Sequence, residues 1–226
     1  MREVVLDTET TGLDFNKGDR IIEVGCVELI NHVQTNKTLQ FYCSVDKIMS
    51  EGAQKVHGLT NEFLSSYPNF KDQSEKLLNF LKDDVLVIHN ADFDLGFLNN
   101  ELKIIGNPPL NNQVVDTVSL ARKTLNSRIA NLDYLCKRFG IDLSNRSLHG
   151  ALLDSQLLAE VYLELRGGKQ ISMNLATDLD QKKEELKIKD NTKINFHQIK
   201  LSEDDNKQHK LLLNQIKNPL WQKIDY

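Results

Sequence analysis

Apolar residues in this chain come first as short runs and later at helical spacing. The runs around Val4-Val5-Leu6, Ile21 to Ile30 and Leu39 to Val45 predict strands over 3–8, 20–30 and 38–45. The turn signals Asn16-Lys17-Gly18-Asp19 and Asn31-His32 lie between them, so these strands are expected to form an antiparallel meander. Helical patterns then alternate with short apolar runs at 85–88 and 113–116, which predicts parallel crossovers onto the same sheet. One helix follows Val85-Leu86-Val87-Ile88 through Phe97, Leu98 and Leu102, with Asn90 or Asp92 as its cap. Another runs from Ala151 past Leu163, with Leu158, Val161 and Leu165 on one face. The expected class is α/β, a mixed sheet flanked by helices.

The pattern changes at Gly167-Gly168, a natural helix stop. From Ala176 to Asn195 ten of twenty residues are charged and none is aromatic, as in a solvated linker, with Gln181 to Lys187 able to form a transient helix. Apolar residues return at Phe196, Ile199, Leu201, Leu211-Leu212-Leu213, Ile216, Leu220 and Trp221. This patch is too small to fold alone and reads as a segment that docks and folds on a partner. Three parts are therefore expected: a domain over 1–168, a linker over 169–195 and a docking segment over 196–226.

Composition narrows the setting. The chain has 226 residues, 40% of them hydrophobic, enough for one good-sized core. No signal peptide is expected, and no apolar stretch approaches the ~20 residues of a membrane helix. Cys26, Cys43 and Cys136 are odd in number and lack metal-type spacing, which fits a reducing, cytoplasmic compartment and argues against structural zinc. The net charge of −4 argues against broad nucleic-acid binding by counterion release; a short single-stranded end is the more natural substrate.

Acids in awkward places carry the candidate chemistry. Asp7 and Glu9 end the first apolar run, and alternation puts them on one side of a strand, Cα atoms roughly 6.5–7 Å apart. Two acids so placed can share a Mg²⁺ or Mn²⁺ ion. Asp94 lies three and four residues before Phe97 and Leu98, and Asp154 four before Leu158, so both face the core. A buried unpaired carboxylate costs several kcal/mol, hence each needs a cation, a metal or several donors; an arginine partner or a helix cap is the simpler alternative. His149, five residues before Asp154, is placed to take a proton from water. Asp116 opens Thr117-Val118-Ser119-Leu120-Ala121-Arg122 and reads as an N-cap.

The segments Leu6-Asp7-Thr8-Glu9-Thr10-Thr11-Gly12-Leu13, His57-Gly58-Leu59-Thr60, His89-Asn90-Ala91-Asp92-Phe93-Asp94 and Leu148-His149-Gly150-Ala151-Leu152-Leu153-Asp154 together resemble the DEDDh 3′–5′ exonucleases. Within that family the resemblance is to the proofreading epsilon subunits of bacterial DNA polymerase III, over residues 1 to about 168. It implies a ribonuclease-H-like fold and two Mg²⁺ or Mn²⁺ ions held by Asp7, Glu9, Asp94 and Asp154, with His149 as general base. Asp94 holds the matching place after Phe93, which leaves Asp92 as a helix cap. The resemblance further implies substrate contacts at Asp7, Glu9, Thr10, Glu51, His57 and Asp154. The chain is one residue longer between Glu51 and His57, so Gly52 is an alternative alignment for Glu51. Thr10 and Thr11 offer hydroxyls and N–H groups to a terminal nucleotide or, equally well, close a turn into Gly12.

The implied activity is hydrolysis of a DNA 3′ end, releasing 5′-mononucleotides, in the replisome. Implied partners are the polymerase alpha subunit, through the C-terminal segment, and the sliding clamp, through Gln170-Ile171-Ser172-Met173-Asn174-Leu175. Two alternatives stand beside it. An RNA-trimming exonuclease would use the same catalytic parts but has no evident need for the tail. A non-catalytic replicase scaffold would have no need for the full set of acids.

Overall fold

Strand β1 (Arg2–Thr10) occupies the middle of a mixed sheet and sets the layout of everything around it. The computed structural model describes residues 1–144, 146–168 and 202–216. Among these, β2 (Ile21–Ile30), β3 (Val33–Tyr42), β4 (Val85–Ile88) and β5 (Val114–Asp116) complete a sheet of order β3-β2-β1-β4-β5. The first three strands are antiparallel; β4 is parallel to β1, and β5 to β4. This is the mixed sheet the sequence pattern predicts and the ribonuclease-H-like order the resemblance implies.

The hairpin between β2 and β3 is tighter than expected. Asn31 and His32 both take positive φ, 52° and 68°, so a two-residue turn closes Ile30 onto Val33. β3 therefore begins five residues before the apolar pattern does. Val33 to Lys37 lie on an edge strand largely open to solvent, where pairing needs no hydrophobic alternation.

Helices α1 (Glu51–His57), α2 (Asn61–Leu64) and α3 (Phe70–Leu81) follow β3. Then α4 (Ala91–Ile104) joins β4 to β5, and α5 (Thr117–Leu125), α6 (Leu132–Phe139) and α7 (Ala151–Leu165) follow. Ser50, Thr60, Asn69, Asp116 and Asn131 cap α1, α2, α3, α5 and α6 with their side chains. The reading of Asp116 as an N-cap holds. It also accepts from the Asn90 N–H at 3.0 Å, so one carboxylate serves the starts of α4 and α5. Asn90 occupies the N-cap position of α4 in the left-handed region and makes no side-chain cap. Asp92, the other expected cap, is instead an exposed residue of the first turn, where its charge meets the positive end of the helix dipole.

Alternation along β1 sorts its residues between two cores. Val4 and Leu6 join Leu77 and Leu81 of α3 and Phe97, Leu98 and Leu102 of α4. Val5 joins Leu135 of α6 and Leu158, Val161 and Tyr162 of α7. Asp7 and Glu9 continue the Val5 face, whereas Thr8 continues that of Val4 and Leu6. The start of β2 is tied to α4 by a bidentate pair, Arg20 Nε and Nη2 to the Glu101 carboxylate, both at 2.6 Å.

The chain divides into two units, Met1–Met173 and Asn174–Tyr226. In the second, α8 (Glu203–Gln215) opens with a reciprocal capping box between Ser202 and Asp205, with Leu211 and Leu212 exposed. This helix falls inside the expected docking segment. The expected linker, Gln170 to Leu175 and Trp221 lie outside the described residues. Among the described residues no helix is long and apolar enough to cross a membrane.

Candidate active site

The carboxyl ends of the parallel neighbours β1 and β4 lie side by side, and the candidate residues come from there and from the starts of α4 and α7. Asp7 and Glu9 come from the end of β1. Asp94 sits in the first turn of α4, immediately after β4, and Asp154 in the first turn of α7. Glu9, Asp94 and Asp154 are buried, with the aliphatic neighbours on their helices that the sequence spacing predicts.

Glu9, His149 and Asp154 each offer a ligand atom within 4.8 Å of the others, a group that could hold a metal ion. Asp7 lines a cavity of about 260 Å³ together with His89, Arg146, His149 and Asp154. Asp94 is held from β1 by the Thr8 hydroxyl, which donates to its Oδ1 at 2.7 Å. Thr8 reaches it because it shares the face of Leu6 that packs on α4.

The protonation of these acids reports how much negative charge is gathered. Asp7 is pushed well above the ordinary carboxylate range by burial and by the charges of Asp94, Glu9, Asp154 and Glu23. Glu9 rises to about 8, first through burial and then through Asp154, Glu23 and Asp94. Burial also lifts Asp94, to about 7, against the hydrogen bonds from Thr8. Asp154 goes the other way. Burial works to raise it, but hydrogen bonds from Arg146 and His149 and their charges hold it below the usual value.

Arg146 is a residue the sequence reading missed. Its Nε and Nη2 donate to the two Asp154 oxygens at 2.6 and 2.8 Å, and it also pairs with Asp133. Nη2 lies 3.0 Å from His149 Nδ1, which is itself 3.1 Å from Asp154 Oδ2. The simpler alternative for Asp154, an arginine partner, is thus realised in this structure. The only signal in the sequence was a basic residue three positions before His149. Glu23 was missed as well, although an acid inside Ile21-Ile22-Glu23-Val24 is a visible anomaly; it faces Glu9 across the β1–β2 ladder.

The donor set fits a divalent cation. It is built of carboxylate oxygens with an imidazole beside them, the ligand chemistry of Mg²⁺ and Mn²⁺ sites. Three of its acids are driven toward the neutral form, Asp94 by burial and Asp7 and Glu9 by burial and then by neighbouring negative charge, and a dication would favour the ionised form of each.

A second cavity, about 350 Å³, lies on the other side of Glu9 and is lined by Thr8, Thr10, Leu13, Ala53, Val56, His57 and Phe93 among others. His57 is buried here. Its Nδ1 accepts the Leu59 N–H at 3.0 Å, so the proton sits on Nε2, which is buried and makes no hydrogen bond within 3.5 Å. A buried donor without a partner, beside an apolar pocket and next to Glu9, suits a ligand acceptor. Thr10 lines the same cavity, its hydroxyl donating to the Gly12 carbonyl at 2.6 Å. Thr11 does not line it; it is fully buried, and its hydroxyl is engaged with Asp19 and the Arg20 N–H. Glu51 is not a lining residue either. Following the Ser50 cap, it takes the first position of α1, where the side chain projects to solvent. Ser50 and Gly52 line the cavity in its place, as the alternative alignment at Gly52 implied.

Known proteins resemble this chain in sequence and in fold. Residues 4–162 match the family model RNase_T, described as Exonuclease. The DNA polymerase III subunit epsilon of Rickettsia felis is 44% identical over 179 residues, covering 77% of this chain and 78% of that one. The subunit of the same name from Escherichia coli K12 is 41% identical over 185 residues, 78% and 76% of the two chains. The chain belongs to the RNase_T exonuclease family. Membership implies a divalent-metal requirement. Among solved structures, the nuclease domain of 3′hExo, a DEDDh member bound to rAMP, superposes with a TM-score of 0.63 at 19% identity, over 73% of this chain and 90% of that one. Escherichia coli exonuclease I in complex with a dA16 oligonucleotide gives 0.63 at 18% identity, over 74% and 41%. At such identities these likenesses concern the fold, and both are exonuclease folds.

Proposed function

We propose that this exonuclease is the proofreading subunit of a bacterial, cytoplasmic DNA polymerase III, removing nucleotides from a single-stranded DNA 3′ end with release of 5′-mononucleotides. The observation that carries the reading is the gathering of Asp7, Glu9, Asp94, Asp154 and His149 at one end of the sheet, beside a pocket into which a histidine donor faces. The curated relatives named above bear the name of that subunit, which favours this reading over an RNA trimmer or an inert scaffold.

In the proposed mechanism Asp7, Glu9, Asp94 and Asp154 hold two Mg²⁺ or Mn²⁺ ions. When bound, these ions supply the Lewis acidity that activates water and stabilises the departing 3′-oxygen. His149, half-exposed at the cavity mouth, removes the proton from the attacking water. Its backbone N–H donates to the Val56 carbonyl at 3.1 Å, which ties it to the helix carrying His57. The terminal nucleotide occupies the apolar cavity, where His57 Nε2–H donates to it and Thr10, Gly52 and Phe93 form the walls.

Residues 1–168 act as the catalytic domain, 169–195 as a tether with a clamp-binding element at Gln170 to Leu175, and 196–226 as the alpha-subunit dock. A tether raises the local concentration of the nuclease at the primer end without new contacts. The test uses the full chain on 3′-labelled single-stranded DNA and on RNA of the same sequence, with Mg²⁺ or Mn²⁺ and then with chelator. Degradation from the 3′ end, stopped by chelator and favouring DNA, is expected; digestion from the 5′ end or without metal overturns the reading. Co-purification with the polymerase subunit should weaken on Trp221→Ala, since a large aromatic is the expected anchor of a short docking segment.

A further inference from the structure

We propose that Glu23 is a positioning residue: from strand β2 it caps the start of helix α7 and thereby sets Asp154 and His149 against Asp7 and Glu9. The proposal deepens the nuclease reading and rests on it for its catalytic consequence.

Helix α7 begins without a cap of its own. Its N-cap residue is Gly150, which has no side chain, and the first N–H groups of any helix need acceptors from outside it. The carboxylate of Glu23, on the same face of β2 as Gly25, lies against the N–H groups of Ala151 and Leu152, which favour its ionised form. On its other side Gln40 Nε2 donates to Glu23 Oε1 at 2.8 Å, which fixes the carboxylate between β3 and the helix end. Glu23 is only 2% exposed, and among the described residues no arginine or lysine forms an ion pair with it.

The fit around it is close. A Cβ at Gly25 would fall 2.2 Å from the carbonyl carbon of Ala151 and the nitrogen of Leu152, so the helix start lies directly on β2. One turn on, Ser155 Oγ donates to the Gly25 carbonyl at 3.0 Å. Glu23, Gly25 and Ser155 thus pin one turn of α7 at both ends, and Asp154 lies in that turn.

An acid at this place carries an electrostatic cost, because Glu23 faces Glu9 across the ladder and lies near Asp154. Charge-assisted hydrogen bonds to two helix N–H groups, aligned with the helix dipole, offset it. Its oxygens already accept from Gln40 and meet the helix N–H groups, which keeps them engaged away from an ion. Its effect on the chemistry is therefore indirect.

The experiment uses the full chain as wild type, Glu23→Ala, Glu23→Gln and Glu23→Ala/Gly150→Ser. A side chain fits at Gly150, where φ is −162° and a Cβ meets nothing within 4 Å, and a serine there would supply a local cap. Without metal, Glu23→Ala should speed hydrogen exchange at Ala151 and Leu152 by about tenfold, the size of a lost cap in a local opening equilibrium. Mn²⁺ affinity by calorimetry should weaken. Turnover should fall roughly 10- to 100-fold, as for a slight misplacement of catalytic groups, with KM for a small thymidine phosphodiester changed by less than about twofold. Gly150→Ser should recover most of the Mn²⁺ affinity and turnover, and Glu23→Gln should fall between. Unchanged exchange in Glu23→Ala, or no recovery with Gly150→Ser, overturns the proposal. Should Glu23→Ala fail to fold, the isosteric Glu23→Gln decides on the same exchange and Mn²⁺ readings. A wild-type chain without metal-dependent nuclease activity would refute the functional reading instead, while exchange at Ala151 and Leu152 would still judge the cap.

Discussion

Helices α4 and α7 deliver an aspartate by the same device and leave it in opposite states. Each starts after a residue that contributes no side-chain cap, Asn90 or Gly150, and each carries its aspartate at the fourth helical position. Each start is also held by an acid from a strand, Asp116 for α4 and Glu23 for α7. Yet Asp94 accepts hydrogen bonds from Thr8 and is lifted by burial to about 7, whereas Asp154 meets Arg146 and His149 and is lowered. The helix start fixes where an acid goes; the neighbours it meets there fix its charge. In the metal-free protein one half of the site is thus short of positive charge and the other has it built in.

The largest effect tests whether the two halves act as one centre. Asp7→Ala, Asp94→Ala or Asp154→Ala should each reduce 3′-end hydrolysis to background, as chelator does, with far-UV circular dichroism unchanged. Retained activity in the Asp94 variant alone would make α4 dispensable. His149→Ala should lower turnover by about 10²–10⁴-fold, the range for a lost general base, while calorimetry finds Mn²⁺ binding largely kept.

The comparison sharpens further in metal-free stability, where the signs differ. Asp154→Asn removes the buried anion that Arg146 grips with two nitrogens and leaves it only the exposed Asp133, so urea unfolding should show a loss of about 3 kcal/mol. Asp94→Asn should stabilise, and more so as pH rises. The ordinary carboxyl values are 3.8 for Asp94 and 4.5 for Glu9, and in the folded chain they are raised to about 7 and about 8. Their contribution to stability is therefore complete below the ordinary values and is lost as pH climbs through 7 to 8. Thermal scans of the wild type without metal should show Tm falling over that window, with a flatter profile for Asp94→Asn. Asp154, lowered, contributes in the reverse sense and loses its contribution as the solution is acidified. The smallest effect concerns the strand acid of α4. Asp116→Ala should cost about 1 kcal/mol, seen as a drop in Tm of a few degrees.

Much of this was legible in the chain. The apolar runs located β1, β2, β4 and β5 and their directions, because hydrophobic period and turn chemistry are local properties. Asp94 and Asp154 stood out because an acid on an apolar face contradicts the pattern around it. The start of β3 was not legible, since an edge strand of polar residues carries no alternation. Nor was Arg146, whose meaning comes from meeting Asp154, Asp133 and His149 at one point in space. Glu51 illustrates the opposite limit: alignment to a family motif gave it a role, and the first position of a short helix leaves it exposed. Glu23 was visible as a buried acid, but its partners are backbone N–H groups more than a hundred residues away, and no side-chain pattern announces them.

The distance along the chain between the ends of the site has a consequence for the protein's birth. Asp7 and Glu9 leave the ribosome early, but Asp154 enters only with α7, the helix that packs across β1 and β2 and closes one of the two cores. Synthesis at about 5–20 residues per second separates the first proposed ligand from the last by some seconds. During that interval the nascent chain has three of its acids and neither His149 nor Asp154. A nuclease assembled in this order cannot cut before its fold is closed, and the step that completes its core is the step that arms it.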